Sequence, residues 1–427
     1  MRHRICGAFR TEDKSGGPMG VRPDFEAYTA ALADAGLAEA PIGVLDLDAF
    51  DANAEALTAR IAPGAEDKTI RVASKSLRVR QAIQRAVGQP GFAGVLAFTA
   101  AEALWLVEHG TSDVVIGYPT ADADAVSRIA QDERARAEIT FMVDCAEHLD
   151  FLSGLASTGP LRLCLELDAG FRLESLPGLG FLPSRLRFGA LRSPCFTPED
   201  IEALAVRAAA NPRVRVVGLM AYEGQVAGVY DTGRSPRAAA IRLMQRASRA
   251  EIASRRAAAV ERVRRHADLE FVNGGGTGSI ESTSAEDAVT EVAAGSGLFA
   301  PGLFLKYRGF QPKPAFHYAV SVVRRPGRGV VTVLGGGWTA SGTPREDRAP
   351  EPVWPEGLQY APEEWAGEVQ TPLIGPAADS LHLGDLVYFR HAKAGEAAEH
   401  LNTVAVISGG RVVDQWPTYR GERKAFL

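Results

Sequence analysis

Eight short runs of apolar and β-branched residues recur between residues 70 and 293, and this recurrence limits the possible folds more than any other feature of the chain. The runs are Ile70–Ala73, Gly94–Thr99, Asp113–Gly117, Ile139–Asp144, Leu161–Asp168, Val214–Tyr222, Leu269–Asn273 and Ala288–Ala293. None alternates cleanly between polar and apolar, so each reads as a strand buried on both faces. Helix-like stretches separate most of them: Leu77–Val87, Ala100–Gly110, Ala121–Glu133, Pro198–Ala210 and the long Pro236–His266. The last is rich in Arg and Ala, both good helix formers, and its arginines predict a solvated face rather than a nucleic-acid patch. Eight strand–helix units in roughly 250 residues predict a closed (β/α)8 barrel rather than an open sheet.

Beyond about residue 310 the pattern changes. HYAVSVVRR, GVVTVLGGGW, DLVYFRH, NTVAVI and GRVVDQWP read as strands, with turns at Pro326-Gly327-Arg328-Gly329 and Ser408-Gly409-Gly410 and no long helical window. The Pro- and Glu-rich stretch Thr343–Pro376 predicts a long surface excursion. The apolar segment Ile42–Asp48 precedes the first barrel unit and is expected to add a strand to this later β region. The organisation predicted is a loosely attached leader over 1–25, a strand-contributing segment over 26–49, a barrel over 50–312 and a β domain over 313–427.

Composition removes several classes of function. A chain of 427 residues exceeds what one core usually serves, and 46% hydrophobic with 23% charged residues is ordinary for a globular protein. A net charge of −5 leaves no footprint for nucleic acid or an anionic membrane. The basic opening, Met1 to Arg4, leads into no apolar stretch, so no signal peptide is expected, and no run of ~18 apolar residues predicts a membrane span. Cys6, Cys145, Cys164 and Cys195 form no CxxC pair. Cys145 and Cys164 lie in or beside strand-like runs; free, buried thiols and a cytoplasmic setting are expected.

Two segments carry chemistry. In TIRVASKSLR, Lys75 stands at the C-terminal tip of the first strand, with a helix expected just after it. Barrel active sites are built at those tips, where a desolvated lysine can serve as an amine nucleophile. Alone, the run describes an ordinary surface lysine better. In FVNGGGTGS, the seventh strand runs into a glycine-rich loop whose N–H groups and hydroxyls could cradle a phosphate. The loop has no GxxxxGK[ST] spacing, which argues against a P-loop.

Together, VLDLDAFDAN, the strand-end Lys75 and the late GGGTGS loop resemble the fold type III pyridoxal phosphate (PLP) enzymes, the group of alanine racemase. The ending LGDLVYFRHAKAGE…LNTVAVISGGRVVDQWPTYRG is similar to that of D-threonine aldolases and eukaryotic-type D-serine dehydratases. The resemblance runs from about Gly43 to Gly421. It implies that PLP is carried on Lys75, with Gly275, Gly276, Thr277 and Gly278 as the phosphate loop and Gly295-Ser296 closing over it. It implies Tyr222 and Gln225 beside the pyridine ring, and Arg187 aimed at the cofactor face or the substrate carboxylate, although residues 171–186 look inserted.

The implied activity is a lyase on D-β-hydroxy amino acids, by retro-aldol cleavage or by elimination of water. A racemase with Tyr307 or Tyr318 as second base, or a non-catalytic PLP protein, are the alternatives. The resemblance also implies a homodimer with a small amino acid as substrate. It further implies a divalent metal on a His-x-Asp or His-x-Cys pair. This chain departs there, with His391-Ala392-Lys393. Either Lys393 replaces the metal as an electrophile, or Glu396 or His400 joins His391 as a ligand.

Overall fold

The computed structural model describes residues 23–173 and 187–427. The first strand, β1 (Ile42–Asp46), belongs to a sheet completed only at the end of the chain. Eight parallel strands then close a barrel: β2 (Thr69–Ala73), β3 (Phe92–Ala97), β4 (Val114–Ile116), β5 (Ile139–Val143), β6 (Leu161–Glu166), β9 (Val214–Ala221), β10 (Phe271–Gly274) and β11 (Glu291–Ala294). Closure is made where Glu291 to Ala294 pair with Thr69 to Val72. All eight predicted runs are barrel strands. A two-stranded ribbon, β7 (Phe171–Arg172) and β8 (Arg187–Phe188), rises between β6 and β9.

Period-2 alternation sorts each strand's side chains between the barrel interior and the helices outside. Val115, Met142, Cys164, Val217, Met220 and Phe271 pack as a cluster of their own. Arg71, almost fully buried, sits between Glu291 (2.6 Å) and Asp113 (2.9 Å), and Asn273 donates to the same Glu291 carboxylate at 2.8 Å. Cys164 and Cys195 are buried free thiols, Cys145 is half-buried, and Cys6 lies outside the described residues.

The second sheet has nine strands: β1 with β12 (Phe316–Gly327), β13 (Val330–Leu334), β14 (Glu351–Trp354), β15 (Gln359–Tyr360), β16 (Gln370–Ile374), β17 (Leu386–Arg390), β18 (Thr403–Ser408) and β19 (Arg411–Pro417). As expected, β1 inserts into it, antiparallel to β12 and parallel to β18. The predicted surface excursion is a correction. Residues 343–376 supply β14, β15 and β16, because Leu358 and Leu373 bury their side chains in the sheet's core. Residues 1–22 of the expected leader lie outside the described residues, but Phe25 already opens a helix, Phe25–Asp34, capped by Asp24. Phe25, Tyr28 and Leu32 cover Ile42, Val44, Ala319 and Tyr388 on the sheet's outer face. Among the described residues no helix is long and apolar enough to cross a membrane.

Candidate active site

The barrel's first strand ends in a tight turn, Ser74–Ser76, that presents Lys75. Its two serines are buried and bonded, Ser74 Oγ donating to the Leu96 carbonyl (3.1 Å) and Ser76 Oγ meeting Ser296 Oγ (3.1 Å). Lys75 between them is exposed. The following helix starts at Arg80, later than expected, because Arg78 takes left-handed backbone (φ 53°) and breaks the turn from the helix. Lys75 Nζ donates to the Tyr118 hydroxyl at 2.7 Å. The Arg192 guanidinium lies 5.1 Å from the ring centres of both Tyr118 and Tyr222. Burial pushes the Tyr118 phenol up, but the Lys75 and Arg192 charges outweigh it and hold the group below its ordinary value. For Tyr222 burial wins over the same cations and the phenol is raised.

The glycine loop is fastened from behind. Gly275 N–H and Ser279 Oγ donate to the Glu223 carboxylate at 3.1 and 3.0 Å, as does Thr283 Oγ1. Gly276 N–H donates to Ser279 Oγ. These two amides therefore face inward. The Thr277 and Gly278 N–H groups meet no protein acceptor among the described residues. Thr277 Oγ1 accepts from Gly297 N–H at 3.2 Å and so ties this loop to the one bearing Ser296. A β-carbon at Gly278 would lie 2.4 Å from the Ala227 carbonyl oxygen, so only glycine fits there. Gln225 does not join the loop. Its amide donates to Ala169 O (2.7 Å) and Ser248 Oγ (2.8 Å), bracing the sixth strand's end against the helix Pro236–Val263.

The sheet reaches this mouth within the same chain. Gly302 and Leu303 N–H donate to the carbonyls of His391 and Ala392 at 2.9 and 3.0 Å. Gly395 (φ 89°) packs so closely that a β-carbon would sit 1.9 Å from the Lys75 carbonyl oxygen. Between these anchors, Lys393 is half-buried and its ammonium donates to Ser341 Oγ at 3.0 Å. Burial lowers its pKa; Glu396 opposes that shift, and the Lys75 and Arg348 charges add to it.

His391 itself is buried with its ring edge-on to Phe316 (5.1 Å) and Phe299 (6.4 Å). Burial, then the Arg390 charge, push it down to about 3. Neither ring nitrogen has a hydrogen-bond partner among the described residues. Glu396 and His400, the side chains that could join His391 as ligands, each have another partner. Glu396 accepts from Ser341 N–H at 3.1 Å, and His400 stacks on Trp338 at 4.6 Å. Among the described residues the group of three metal-ligand side chains that converges is elsewhere, at Asp144, Cys145 and His148.

Other expected residues are also placed differently. Arg187 lies 3.8 Å from Asp168, and the arginine over the tyrosine rings is Arg192, five residues on. Tyr307 and Tyr318 donate to the carbonyls of Ala227 and Gly336 from buried positions, so neither is presented as a base. Two arginines of the predicted solvated helix turn inward: Arg255 to Gly170 O and Arg256 to Glu223. Tyr118 had a readable signal, since it follows the third barrel strand in VVIGYP. Nothing in the sequence distinguishes Arg256 from its neighbours.

The chain resembles known proteins over most of its length. It is 27% identical over 296 residues to a 3-hydroxy-D-aspartate aldolase of Paracoccus denitrificans, covering 66% of this chain and 67% of that one. It is 28% identical over 273 residues to a D-threonine aldolase of an Arthrobacter species, covering 62% of each. Its fold matches the crystal structure of a D-threonine aldolase from Filomicrobium marinum with a TM-score of 0.73 at 19% identity, over 90% of this chain and 96% of that one. It also matches a D-threo-3-hydroxyaspartate dehydratase from Delftia, with a TM-score of 0.66 at 18% identity, over 89% and 97%. Residues 45–301, more than half of the 427, match the model of the alanine racemase N-terminal domain, and the chain belongs to that family.

Proposed function

We propose that this protein is a PLP-dependent lyase acting on D-β-hydroxy amino acids. The observation that carries the reading is the exposed Lys75 amine at the tip of the first barrel strand, hydrogen-bonded to Tyr118 across from the glycine loop. The residues present suit PLP. The N–H groups of Thr277 and Gly278, without a partner among the described residues, offer donors to a phosphate, with the loop bearing Ser296 tied to them through Thr277. Lys75, Arg192 and Lys393 together make the mouth cationic, as an anionic cofactor and an amino-acid carboxylate require. In this reading Lys75 holds the cofactor, Tyr222 lines its ring, and Arg192 binds the carboxylate.

Bound PLP supplies the electron sink for charge developing at the substrate's Cα. The chain's own part is to orient and to move protons. Lys75 carries the proton at Cα. Tyr118, held low by two cations, accepts hydrogen bonds from the Lys75 amine and keeps it aimed. The loop 391–395 borders one side of the mouth, seated on the Lys75 turn at Gly395. The names of the relatives, aldolases of 3-hydroxy-D-aspartate and D-threonine, support a β-hydroxy substrate. A homodimer is part of the same proposal, and light scattering in solution tests it.

The test is to incubate PLP-loaded protein with D-threonine, D-serine and D-threo-3-hydroxyaspartate and to assay glycine, aldehyde, ammonia and the opposite enantiomer. Cleavage or deamination that disappears in Lys75→Ala is expected. Interconversion of enantiomers alone would make the protein a racemase instead.

A further inference from the structure

We propose that the ammonium of Lys393, rather than a divalent ion, meets the substrate's β-hydroxyl, and that the reaction is therefore elimination of water. The inference rests on the lyase reading above and specifies its chemistry.

Position is the first argument. The backbone before Lys393 is fixed by the bonds from Gly302 and Leu303, and the backbone after it by the close seat of Gly395 on the Lys75 turn. A lysine so held is a feature of the mouth rather than a wandering surface charge. Gly395, two residues on, packs against the Lys75 turn, so Lys393 belongs to the same mouth as Lys75. An ammonium has three N–H donors and no acceptor, and Ser341 Oγ takes one of them. Two donors remain for a substrate.

The donor set is the second argument. A divalent ion at this place would need oxygen, nitrogen or sulfur ligands. His391 turns its ring into the Phe299–Phe316 pair, Glu396 is engaged by the Ser341 amide, and His400 is stacked on Trp338. Beside Lys393 the cations Lys75 and Arg348 stand with one carboxylate, Glu396, which the Ser341 amide already engages. The ammonium itself, fixed two residues from His391, repels a dication and attracts an electron-rich oxygen.

The chemistry follows from what an ammonium can do. Hydroxide leaves poorly, and a positioned acid assists by protonating it as the bond breaks. Lys75 takes the proton from Cα, the Cβ–O bond breaks with its electron pair on oxygen, and Lys393 gives a proton to that oxygen, so water departs. The released enamine takes up one water and separates into ammonia and a 2-oxo acid, with no net oxidation or reduction. Retro-aldol cleavage needs the opposite event, removal of a proton from the β-hydroxyl, which an ammonium cannot accept.

The experiment uses the full-length, PLP-loaded protein before and after dialysis against EDTA, with elemental analysis of both. D-serine and D-threo-3-hydroxyaspartate are the substrates, and exchange of the Cα proton of D-alanine with deuterated water is followed by NMR. Expected are far less than one equivalent of metal, turnover unchanged by EDTA, and ammonia with 2-oxo acid as products. Lys393→Gln should lower kcat by on the order of 10²- to 10⁴-fold, the usual worth of a general acid, while D-alanine exchange through Lys75 persists. Should that variant not fold, Lys393→Arg, whose guanidinium keeps the charge but gives up no proton, is expected to lose elimination to a similar extent while still acquiring no metal.

Wild-type turnover in Lys393→Gln, stoichiometric metal with activity lost on chelation, or glycine and aldehyde as the main products would each overturn the proposal and leave the lyase reading standing. D-alanine exchange without turnover of any β-hydroxy substrate by the unmodified protein would overturn both.

Discussion

Directly behind the glycine loop the Arg256 guanidinium meets the Glu223 carboxylate at 2.8 Å, and both side chains are almost fully buried. Glu223 also accepts from Gly275, Ser279 and Thr283, so one carboxylate joins the long helix Pro236–Val263 to the loop. Arg256 also pairs with Glu286 at 2.5 Å, so losing Glu223 costs less than the roughly 3–5 kcal/mol of a fully broken buried pair, about 3 kcal/mol with the amide and hydroxyls it orphans. Glu223→Ala should destabilise the protein by about that amount in urea unfolding, and Glu223→Gln, which keeps the shape, by less.

The seat of Gly395 on the Lys75 turn gives a second prediction. Gly395→Ala puts a β-carbon where the Lys75 carbonyl oxygen already is, at a φ of 89° that alanine disfavours. The loop must move away, taking Lys393 with it. Lyase kcat should fall while PLP content, read by its visible absorbance, stays near that of the unmodified protein.

Stability below neutral pH should bear the mark of His391. Its pKa is pushed from 6.5 to about 3 by burial and by the Arg390 charge. The unfolded chain therefore binds the proton first, and the folded state loses stability as pH falls below about 6.5. At pH 5 the loss from this group alone is about 2 kcal/mol. His391→Phe, set among Phe299 and Phe316, should flatten the acid limb by that amount in urea unfolding at pH 5, 6 and 7.

Thr277 links two loops through its hydroxyl, which accepts from Gly297 N–H. Thr277→Val orphans that amide and removes a donor from the place assigned to the phosphate. A hydrogen bond to a charged group is worth about 1.5–3 kcal/mol, so the Kd for PLP should rise roughly ten- to a hundredfold. Titration of apoprotein with PLP measures it.

The barrel was legible because a parallel strand buried on both faces lacks a clean polar–apolar alternation, and each of the eight runs does, despite polar members such as Arg71, Arg162 and Glu291. Ile42–Asp46 could be assigned to the later sheet because an apolar strand ahead of the first barrel unit has no partner within the barrel. Lys75 and the glycine loop were readable only together, through the resemblance they carry, since the first alone describes a surface lysine and the second a tight turn. Arg192 and Glu223 were not. Both are polar residues next to more conspicuous text, and what singles them out is a long-range neighbour, the Tyr118 ring for one and Arg256 for the other. The strands within 343–376 were hidden for a related reason. Proline and glutamate dominate the stretch, and the few side chains that bury, Leu358 and Leu373, follow no period.

The measurement closest to the central claim is to load the protein with PLP, reduce it with borohydride, digest it and map the modified lysine. Lys75 Nζ is exposed, pointed at Tyr118 and set at the tip of the first barrel strand. One PLP per chain fixed at Lys75, with visible absorbance lost in Lys75→Ala, is the result predicted. PLP fixed at Lys393 or any other lysine, or none retained by the unmodified protein, would contradict the account.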